Sequence, residues 1–361
     1  MKIVQMVSHF KTGDAIGNEI IAMHRLLSEE GYDAYVTALS IHEDAACQVR
    51  MLDASVLQDL QAEDVAIFHK AAGDVFSSVF RTLRCRKVMI YHNITPASFF
   101  FWYDPAIWLN QVRGRRQVRS MAGDGIWAWG DSQYNCRELK EMGYPEDRIR
   151  CLPILMPPVK ALPDPDPETL SRLKENGGTV FLFVGRVAPN KRHEEILRVF
   201  DTYKCTRDSK ARLYLVGSWE GNEKYYAKLQ GYIEDLKLRD VYFQGHVSEA
   251  EKEAYYAAAD VFVCMSAHEG FCIPLIEAIR HELPVVAYSA AAVPETIGGH
   301  ALLFEEMDYE HICQSVADTL ADPAAVRRLV QEQKAAVSRF DYELVRKQFL
   351  KLLSEVLGEK A

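Results

Sequence analysis

The chain alternates short apolar runs with amphipathic segments along most of its length. The run KIVQMVS near the start is typical of a buried strand. The segment NEIIAMHRLLSEEG that follows places Ile20, Met23 and Leu27 on one helical face, with Gly31 as a stop. Further runs that predict strands are YDAYVTAL, VAIFHK, KVMIYHN and GIWAWG. Strands that alternate with helices indicate a parallel sheet covered on both faces.

A proline-dense stretch, Cys151–Pro167, interrupts this alternation and fits neither a regular helix nor a central strand. The pattern then restarts with TVFLFVGRV and continues to LPVVAYS, and an amphipathic helix closes the chain. We therefore predict an α/β protein of two doubly wound, Rossmann-like domains, at residues 1–160 and 161–338, with residues 339–361 packing back toward the first. Open sheets bind ligands at the carboxyl ends of their strands, so we expect the site in a cleft where the two domains face each other.

Composition excludes some functional classes. The formal net charge of -9 argues against a general nucleic-acid-binding protein, which is usually basic. The 8 cysteines form no CxxC pair, so we interpret them as small apolar residues in a reducing compartment, not as a zinc ribbon or a redox dithiol. We find no signal-peptide pattern and no apolar run long enough to span a membrane. We expect a cytoplasmic protein, with peripheral docking on the inner face of a membrane left open.

The segment SAHEGFCIPLIEA follows an apolar strand and concentrates candidate chemistry. Pro274 suits the first turn of a helix, so we predict that a helix starts there, with Glu269 just before it and Glu277 one turn inside it. The amides from Phe271 to Leu275 would then lie at the positive end of the helix, where they could hold an anion. A solvated loop glutamate and a helix glutamate favoured by the dipole explain the same residues, and the segment alone does not decide.

Three further groups lie near predicted strand ends. Arg186 and Lys191 follow the strand FLFVG, where two cations could grip a diphosphate, although a pair of surface cations is the simpler alternative. Gly13 and Gly17 loosen the loop HFKTGDAIGN and would let its backbone approach a ligand, or they form a plain turn. His92 ends a strand and could donate to a sugar hydroxyl or to a developing charge, or it is a structural histidine.

In this order and spacing, the motifs resemble those of the retaining group 1 glycosyltransferases (family 4), which have the GT-B fold. Glu269 and Glu277 match the paired glutamates of that family in their EGFxxPxxE setting, and Arg186 and Lys191 match its GRxxxxK sequence. His92 matches a histidine that ends a strand of the N-terminal domain, and GDAIGN matches the N-terminal glycine loop. The resemblance covers nearly the whole chain, with KR in place of the frequent KG after the lysine.

The resemblance also implies a role for each residue. Glu277 would bind the ribose hydroxyls, Glu269 would lie against the donor sugar, and Val247 would meet the base through its backbone. The two cations would stabilise the diphosphate leaving group. The implied catalytic residues are Glu269, His92, Arg186 and Lys191. The implied donor-binding residues are Gly17, Val247, Gly270, Phe271, Cys272, Ile273, Leu275 and Glu277, with the cysteine at a position that often holds a small or polar residue.

Such chemistry needs no metal, because fixed cations and helix amides aimed at the leaving group can lower the barrier. The acid pair Asp164–Asp166 lies among prolines between the two domains, and we interpret it as part of that linker. We therefore predict no metal and no cofactor, with a nucleotide-diphosphate sugar as co-substrate.

The aromatic and basic segment Ala97–Arg119 is the candidate acceptor side. Phe99 and Trp102 lie in its aromatic part, and Arg113 and Arg116 in its basic part. Aromatic residues beside a basic cluster suit an anionic membrane surface or a lipid-diphosphate acceptor. The alternative is a buried aromatic helix face with a solvated basic end.

The predicted function is transfer of a hexose from a nucleotide-diphosphate sugar, GDP-mannose before UDP-sugars, to a glycan or polyprenyl-diphosphate-linked acceptor in the synthesis of cell-surface polysaccharide. Two alternatives remain. One is a GT-B-fold nucleotide-sugar epimerase, which needs no acceptor, and the other is a non-catalytic nucleotide-sugar-binding protein. A dinucleotide dehydrogenase is disfavoured, because neither half has GxGxxG followed by an acid about 20 residues further on.

Overall fold

The computed structural model describes residues 1–41, 49–51, 60–158, 162–175 and 177–358, and the chain divides into two compact units. The first unit consists of Met1–Ser98, Ala106–Pro158 and Arg339–Ala361, and the second of Phe99–Pro105 and Val159–Ser338. The predicted domain boundary at residues 160 and 161 lies outside the described residues, as does Cys47.

Parallel strands and helices alternate in both units. The strands are β1 Lys2–Phe10, β2 Asp33–Ile41, β3 Val49–Met51, β4 Val65–Lys70, β5 Arg86–Tyr91, β6 Trp127–Gly130, β7 Ile149–Cys151, β8 Val180–Val184, β9 Arg212–Val216, β10 Val241–Gly245, β11 Val261–Cys264, β12 Val285–Tyr288 and β13 Leu302–Phe304. The helices are α1 Ala15–Glu29, α2 Phe76–Thr82, α3 Pro105–Ser120, α4 Gln133–Glu141, α5 Pro167–Lys174, α6 His193–Thr206, α7 Glu223–Asp235, α8 Glu249–Ala258, α9 Ile273–Arg280, α10 Val293–Thr296, α11 Tyr309–Ala321, α12 Pro323–Val337 and α13 Tyr342–Leu357.

The first unit contains a seven-stranded parallel sheet in the order β3-β2-β1-β4-β5-β6-β7. All residues of β4 are buried, as expected for a strand with helices on both faces. The direction in which successive strands are added reverses between β1 and β4. In open sheets the carboxyl ends of the strands at such a reversal border the crevice that binds ligands.

α13 completes the core of the first unit although it is the last helix of the chain. Val345, Phe349 and Leu353 on this helix belong to one buried cluster with Ile3 of β1 and Trp129 of β6. The rings of Trp129 and Phe349 meet edge to face with their centroids 6.1 Å apart. The three α13 residues are spaced four apart, which places them on one helical face.

The second unit contains a six-stranded parallel sheet in the order β10-β9-β8-β11-β12-β13. Here the reversal falls between β8 and β11, which pair directly through Val261 with Phe181 and Phe262 with Leu182. The segments that follow these two strands hold the predicted Lys191 and the predicted glutamates. The sheet topology therefore brings both motifs to one edge.

Two helices start earlier than predicted. α1 begins at Ala15, before the predicted start at Asn18, because Asp14 caps it by accepting a hydrogen bond from the Gly17 amide at 2.6 Å. α9 begins at Ile273, and Pro274 still lies in the first turn, where its missing amide hydrogen costs nothing. Other elements were not predicted from the sequence: the short β3, β7, β13 and α10, which span too few residues to show a period, and the helices α2, α4, α5, α11 and α12.

Candidate functional site

The connection from β11 to α9 forms the centre of the candidate site in the second unit. Glu269 lies in this connection and is only 7% exposed. Cys272, the last residue before α9, has a φ of 72°, in the left-handed region. A residue with a side chain adopts this conformation at some cost in free energy, so the surrounding structure must hold it there. The sharp turn at Cys272 places Glu269 beside the amino end of α9.

Glu269 forms an ion pair with Lys191. The Lys191 Nζ lies 2.6 Å from both carboxylate oxygens of Glu269. Burial alone would lower the pKa of Lys191, but the Glu269 carboxylate outweighs burial and the pKa is raised. Lys191 is therefore an ammonium at neutral pH, and the fold brings these two predicted residues into direct contact.

Hydrogen bonds from the neighbouring residues hold this pair in register. Lys191 ends the 3-10 turn Pro189–Lys191, which follows β8. The Asn190 side-chain amide donates to the His268 carbonyl at 3.0 Å, and the Asn190 carbonyl accepts from the Ala267 amide at 2.9 Å. The turn after β8 is thus tied directly to the loop after β11.

Glu277 lies one turn inside α9 and has a separate set of partners. The Lys252 Nζ of α8 lies 3.0 Å from its Oε1, and the Tyr256 hydroxyl donates to its Oε2 at 2.8 Å. Burial, with the Glu277 carboxylate, raises the pKa of Tyr256 well above its ordinary value, so the phenol keeps its proton. The sequence analysis missed Lys252 and Tyr256. Their spacing of four residues places them on one face of α8 and is the signal that could have found them.

The carboxyl edge of the second sheet carries glycines that bring backbone segments close together. A Cβ on Gly217, after β9, would lie 2.1 Å from the Gly185 carbonyl oxygen, so only glycine fits there. The Gly217 amide donates to the Gly245 carbonyl at 2.8 Å. The predicted diphosphate ligand Arg186 follows Gly185 and is exposed, and the predicted base contact Val247 is half-buried just after β10.

The amides at the start of α9 are not all available to a ligand. The Leu275 amide donates to the Cys272 carbonyl at 3.2 Å within the first turn, and Pro274 has no amide hydrogen. The Leu275 side chain is fully buried, whereas Gly270 and Ile273 are half-buried. Of the predicted anion-binding amides, that of Leu275 is therefore already used inside the helix.

In the first unit, His92 lies in a buried hydrogen-bond chain. Its Nδ1 lies 3.0 Å from Asp131 Oδ2, and its Nε2 lies 2.9 Å from His69 Nδ1. The other nitrogen of His69, Nε2, lies 3.0 Å from Gln5 Oε1, and the Gln5 amide nitrogen donates to the Ile20 carbonyl. The chain of contacts therefore runs from β1 through β4 to the residues that follow β5 and β6.

These contacts determine where the protons lie on both histidines. Gln5 offers only its carbonyl oxygen to His69, so His69 carries its hydrogen on Nε2 and accepts at Nδ1. His92 must then donate from Nε2 to His69 and from Nδ1 to Asp131, which makes it a cation. Burial would lower the pKa of His92, but Asp131 and then Glu19 raise it to about 9. Burial holds the pKa of His69 well below its ordinary value. Both ring nitrogens of His92 are engaged within the unit, so a direct bond to a ligand would require this chain to open.

The first turns of α1 contribute a carboxylate and a close backbone approach. Glu19 Oε2 lies 3.6 Å from His92 Nδ1, its Oε1 accepts from the Leu155 amide at 3.3 Å, and burial raises the pKa of Glu19 to about 8. The predicted loop residue Gly17 instead lies inside α1. A Cβ there would lie 1.8 Å from the Lys11 carbonyl oxygen, so the turn requires glycine for packing.

The aromatic and basic segment is divided between the two units. In the second, the Phe99 ring lies 6.3 Å from the His268 ring, and Trp102 is 83% exposed. In the first, Arg113 and Arg116 are exposed on α3 and help to line a cavity of about 480 Å³. Among the residues that the structure describes, no helix combines the length and the apolar content that crossing a bilayer requires.

Two groups of side chains in the described part of the chain have the donor atoms to hold a metal ion: Glu19, His69 and His92, and Cys264, Glu269 and Cys272. The histidines of the first group already bind each other and their neighbours. The acid pair Asp164–Asp166 has another role, because Asp166 caps α5 by accepting from the Thr169 amide at 2.8 Å.

Asp131, His69 and Gln5 were not predicted as site residues, and the sequence carries a signal for only some of them. Asp131 directly follows β6, so the strand-end argument that singled out His92 applies equally to it. His69 lies inside β4, where the run VAIFHK reads as core, and Gln5 lies inside β1. Neither position carries a signal in a single sequence.

Two doubly wound units, each with candidate side chains after the carboxyl ends of its strands, make up the GT-B fold of glycosyltransferases. The chain is similar to a solved protein of this class, HepE from Anabaena in complex with UDP and glucose. The two share a TM-score of 0.76 and 18% identity, over 98% of this chain and 100% of that one. This likeness confirms the predicted fold class.

The second unit is similar in sequence to a family of glycosyltransferases. Residues 168–336, just under half of the chain, match the family model of the glycosyl transferases group 1. The chain is 28% identical over 160 residues to the O-antigen chain mannosyltransferase B of Escherichia coli, which is 42% of this chain and 41% of that protein. It is 29% identical over 165 residues to the GDP-mannose-dependent alpha-mannosyltransferase of Mycobacterium tuberculosis, 45% of this chain and 37% of that protein. The chain therefore covers about two fifths of the length of these relatives.

Proposed function

We propose that the protein is a retaining glycosyltransferase that moves a mannosyl residue from GDP-mannose to a glycan or a polyprenyl-diphosphate-linked acceptor in the synthesis of cell-surface polysaccharide. The observation that carries this proposal is the Lys191–Glu269 ion pair beside the amino end of α9. A diphosphate leaving group there would meet a fixed cation and the positive end of a helix. The names of both relatives support mannose, and one of them supports guanine. A UDP-sugar is the second choice.

In the proposed reaction, the bond between the sugar C1 and the β-phosphate oxygen breaks, and the acceptor oxygen bonds to C1 on the same face. The acceptor proton passes to the departing phosphate oxygen. Lys191 and Arg186 stabilise the negative charge that grows on the diphosphate, and Glu269 holds Lys191 in place beside the sugar. Glu277 binds the ribose hydroxyls, with Lys252 orienting its carboxylate. Protein charges fixed in advance supply this stabilisation without a metal.

The first unit supplies the acceptor side in this proposal. His92 acts through its positive charge, since both of its ring nitrogens are engaged by protein groups. The exposed arginines of α3, Arg113 and Arg116, suit the diphosphate of a lipid-linked acceptor or the anionic surface that carries it. The exposed Trp102, which belongs to the second unit, has the same amphipathic character. We accordingly propose a cytoplasmic enzyme that docks peripherally on the inner face of a membrane.

The first experiment compares the thermal stability of the protein with GDP, UDP and ADP, and then follows donor turnover with and without acceptor. A glycosyltransferase gives a glycosylated acceptor together with free nucleotide. An epimerase gives an isomerised sugar nucleotide without acceptor, and a non-catalytic binder is stabilised without turnover, so either result would overturn the proposal.

Variants then test the site. Glu269→Ala and Lys191→Ala should each lower turnover strongly. Arg192→Ala is the matched control, because this neighbouring cation pairs with Glu195 at 3.2 Å and packs on the Tyr288 ring. Rates near that of the wild type in both site variants would refute the assignment.

A further inference from the structure

Two cysteines flank the Lys191–Glu269 pair, and the proposed reaction uses neither thiol. Cys264 is the last residue of β11, and Cys272 immediately precedes α9. The sulfur atoms of both, with a carboxylate oxygen of Glu269, lie within 4.8 Å of one another. Cys264 is fully buried and Cys272 is half-buried, so solvent reaches the group from the side of Cys272.

We propose that Cys264, Glu269 and Cys272 form a binding site for a borderline or soft divalent metal ion of the class of Zn²⁺ and Cd²⁺, and that the bound ion displaces Lys191 from Glu269. Two thiolates and a carboxylate are ligands that such ions prefer. Tetrahedral zinc with bonds of about 2.3 Å to sulfur needs two sulfurs about 3.8 Å apart, which the spacing of the group allows. Water would occupy the fourth position.

The local structure fixes the positions of the two thiols. Cys272 lies immediately before Ile273, the first residue of α9. The left-handed backbone at Cys272 fixes the position of its side chain relative to the end of β11.

Lys191 is the competitor for this site. Its ammonium group lies 2.6 Å from both oxygens of Glu269, so a dication can take that carboxylate only if Lys191 moves away. Metal binding and the ion pair therefore exclude each other. If the proposed function holds, an occupied site lacks the cation that stabilises the leaving group. The ion is then an inhibitor of turnover, whereas its binding depends on the site geometry alone.

The test is a Cd²⁺ titration of the reduced, metal-free full chain, followed by the ultraviolet absorption of the sulfur-to-cadmium bond. No substrate is present, so the result is independent of glycosyl transfer. We expect a single tight equivalent in the wild type and at least a tenfold loss of affinity in Cys264→Ser. The matched control is Cys205→Ser, because this exposed cysteine lies on α6, away from the group, and the variant should bind like the wild type.

A second variant should change the affinity for Cd²⁺ in the opposite direction. Lys191→Gln should bind Cd²⁺ more tightly, by about tenfold or more, because the metal no longer has to break the ion pair between Lys191 and Glu269. Absence of the sulfur-to-cadmium band, equal affinity in folded Cys264→Ser, or weaker binding in Lys191→Gln would each overturn the proposal. If Cys264→Ser does not fold, the absorption band of the wild type and the Cd²⁺ affinity of Lys191→Gln still decide whether the proposal holds. Where turnover is measurable, added Zn²⁺ should inhibit the wild type and spare Cys264→Ser.

Discussion

Replacing Lys191 with methionine removes the charge beside Glu269 and keeps most of the side-chain volume. The Glu269 carboxylate is 7% exposed, and Nζ lies 2.6 Å from both of its oxygens, so it loses a close partner without gaining access to water. Removal of one member of a buried ion pair costs about 3–5 kcal/mol of folding free energy. Because the Lys191 side chain is itself 20% exposed, we expect the lower end of that range, about 3 kcal/mol.

The matched control combines Lys191→Met with Glu269→Gln and so replaces the charged pair by two neutral side chains of similar size. Exchange of a whole buried ion pair for neutral groups costs little stability. The double variant should therefore lose about 1 kcal/mol or less of folding free energy. The double variant should thus be about 2 kcal/mol more stable than Lys191→Met, and a double-mutant cycle that also includes Glu269→Gln measures the coupling free energy between the two residues.

The assay is hydrogen exchange in increasing urea, read by mass spectrometry on peptides from β11 and α9. Two units need not unfold together, and a single spectroscopic midpoint would mix their transitions. A Lys191→Met protein as stable as the wild type would contradict the reasoning. So would a double variant whose loss equals the sum of the single losses, because the two residues would then act independently.

Three further predictions address the partners of the site. Tyr256→Phe removes the hydroxyl that donates to Glu277 and should weaken donor binding about tenfold with little change in kcat. Tyr255→Phe, whose hydroxyl donates to Gln244, should leave donor binding unchanged. A KM for the donor that is the same in Tyr256→Phe and the wild type would count against Glu277 as the ribose ligand. The pKa of His92 is raised from 6.5 to about 9 and that of Glu19 from 4.5 to about 8, so above pH 7 the native first unit binds more protons than the unfolded chain. The free energy of unfolding of this unit in urea should therefore fall by on the order of 2 kcal/mol between pH 7 and pH 9. His92→Gln should make that pH dependence weaker. A wild-type free energy of unfolding that does not change with pH in this range would contradict the prediction. Turnover should be unchanged in excess EDTA, and a loss restored by Mg²⁺ or Mn²⁺ would refute the metal-independent mechanism.

The sequence predicted that Lys191 and Glu269 both follow strand ends of the second domain, and the sheet topology then explains why the two residues meet. Both residues follow buried strands of the second unit, β8 and β11, and parallel strands that pair directly bring the segments after them to one edge. The apolar runs and the restart after the prolines are long-range patterns that survive in a single sequence. For this reason the α/β class and the two-domain organisation could be inferred without coordinates. The GT-B fold was inferred from the motifs that resemble those of the group 1 glycosyltransferases.

Other parts of the site depend on tertiary detail that no periodic pattern records. Tyr256 reaches Glu277 because α8 packs beside α9, and helix packing is not encoded in local spacing. Cys264 and Cys272 approach each other because Cys272 takes a left-handed backbone, a conformation usually left to glycine. The neutral state of His69 and the positive charge of His92 follow from the orientation of the Gln5 amide, which only the folded chain defines.

The position of α13 at the end of the sequence bears on how the protein is synthesised. Val345 and Phe349 leave the ribosome after every residue of the second unit, yet they fill the interior beneath the first sheet. The second unit can therefore fold early, while the first unit keeps an exposed apolar surface until α13 has been synthesised. During that interval the nascent polypeptide would be most prone to aggregate and most in need of chaperones.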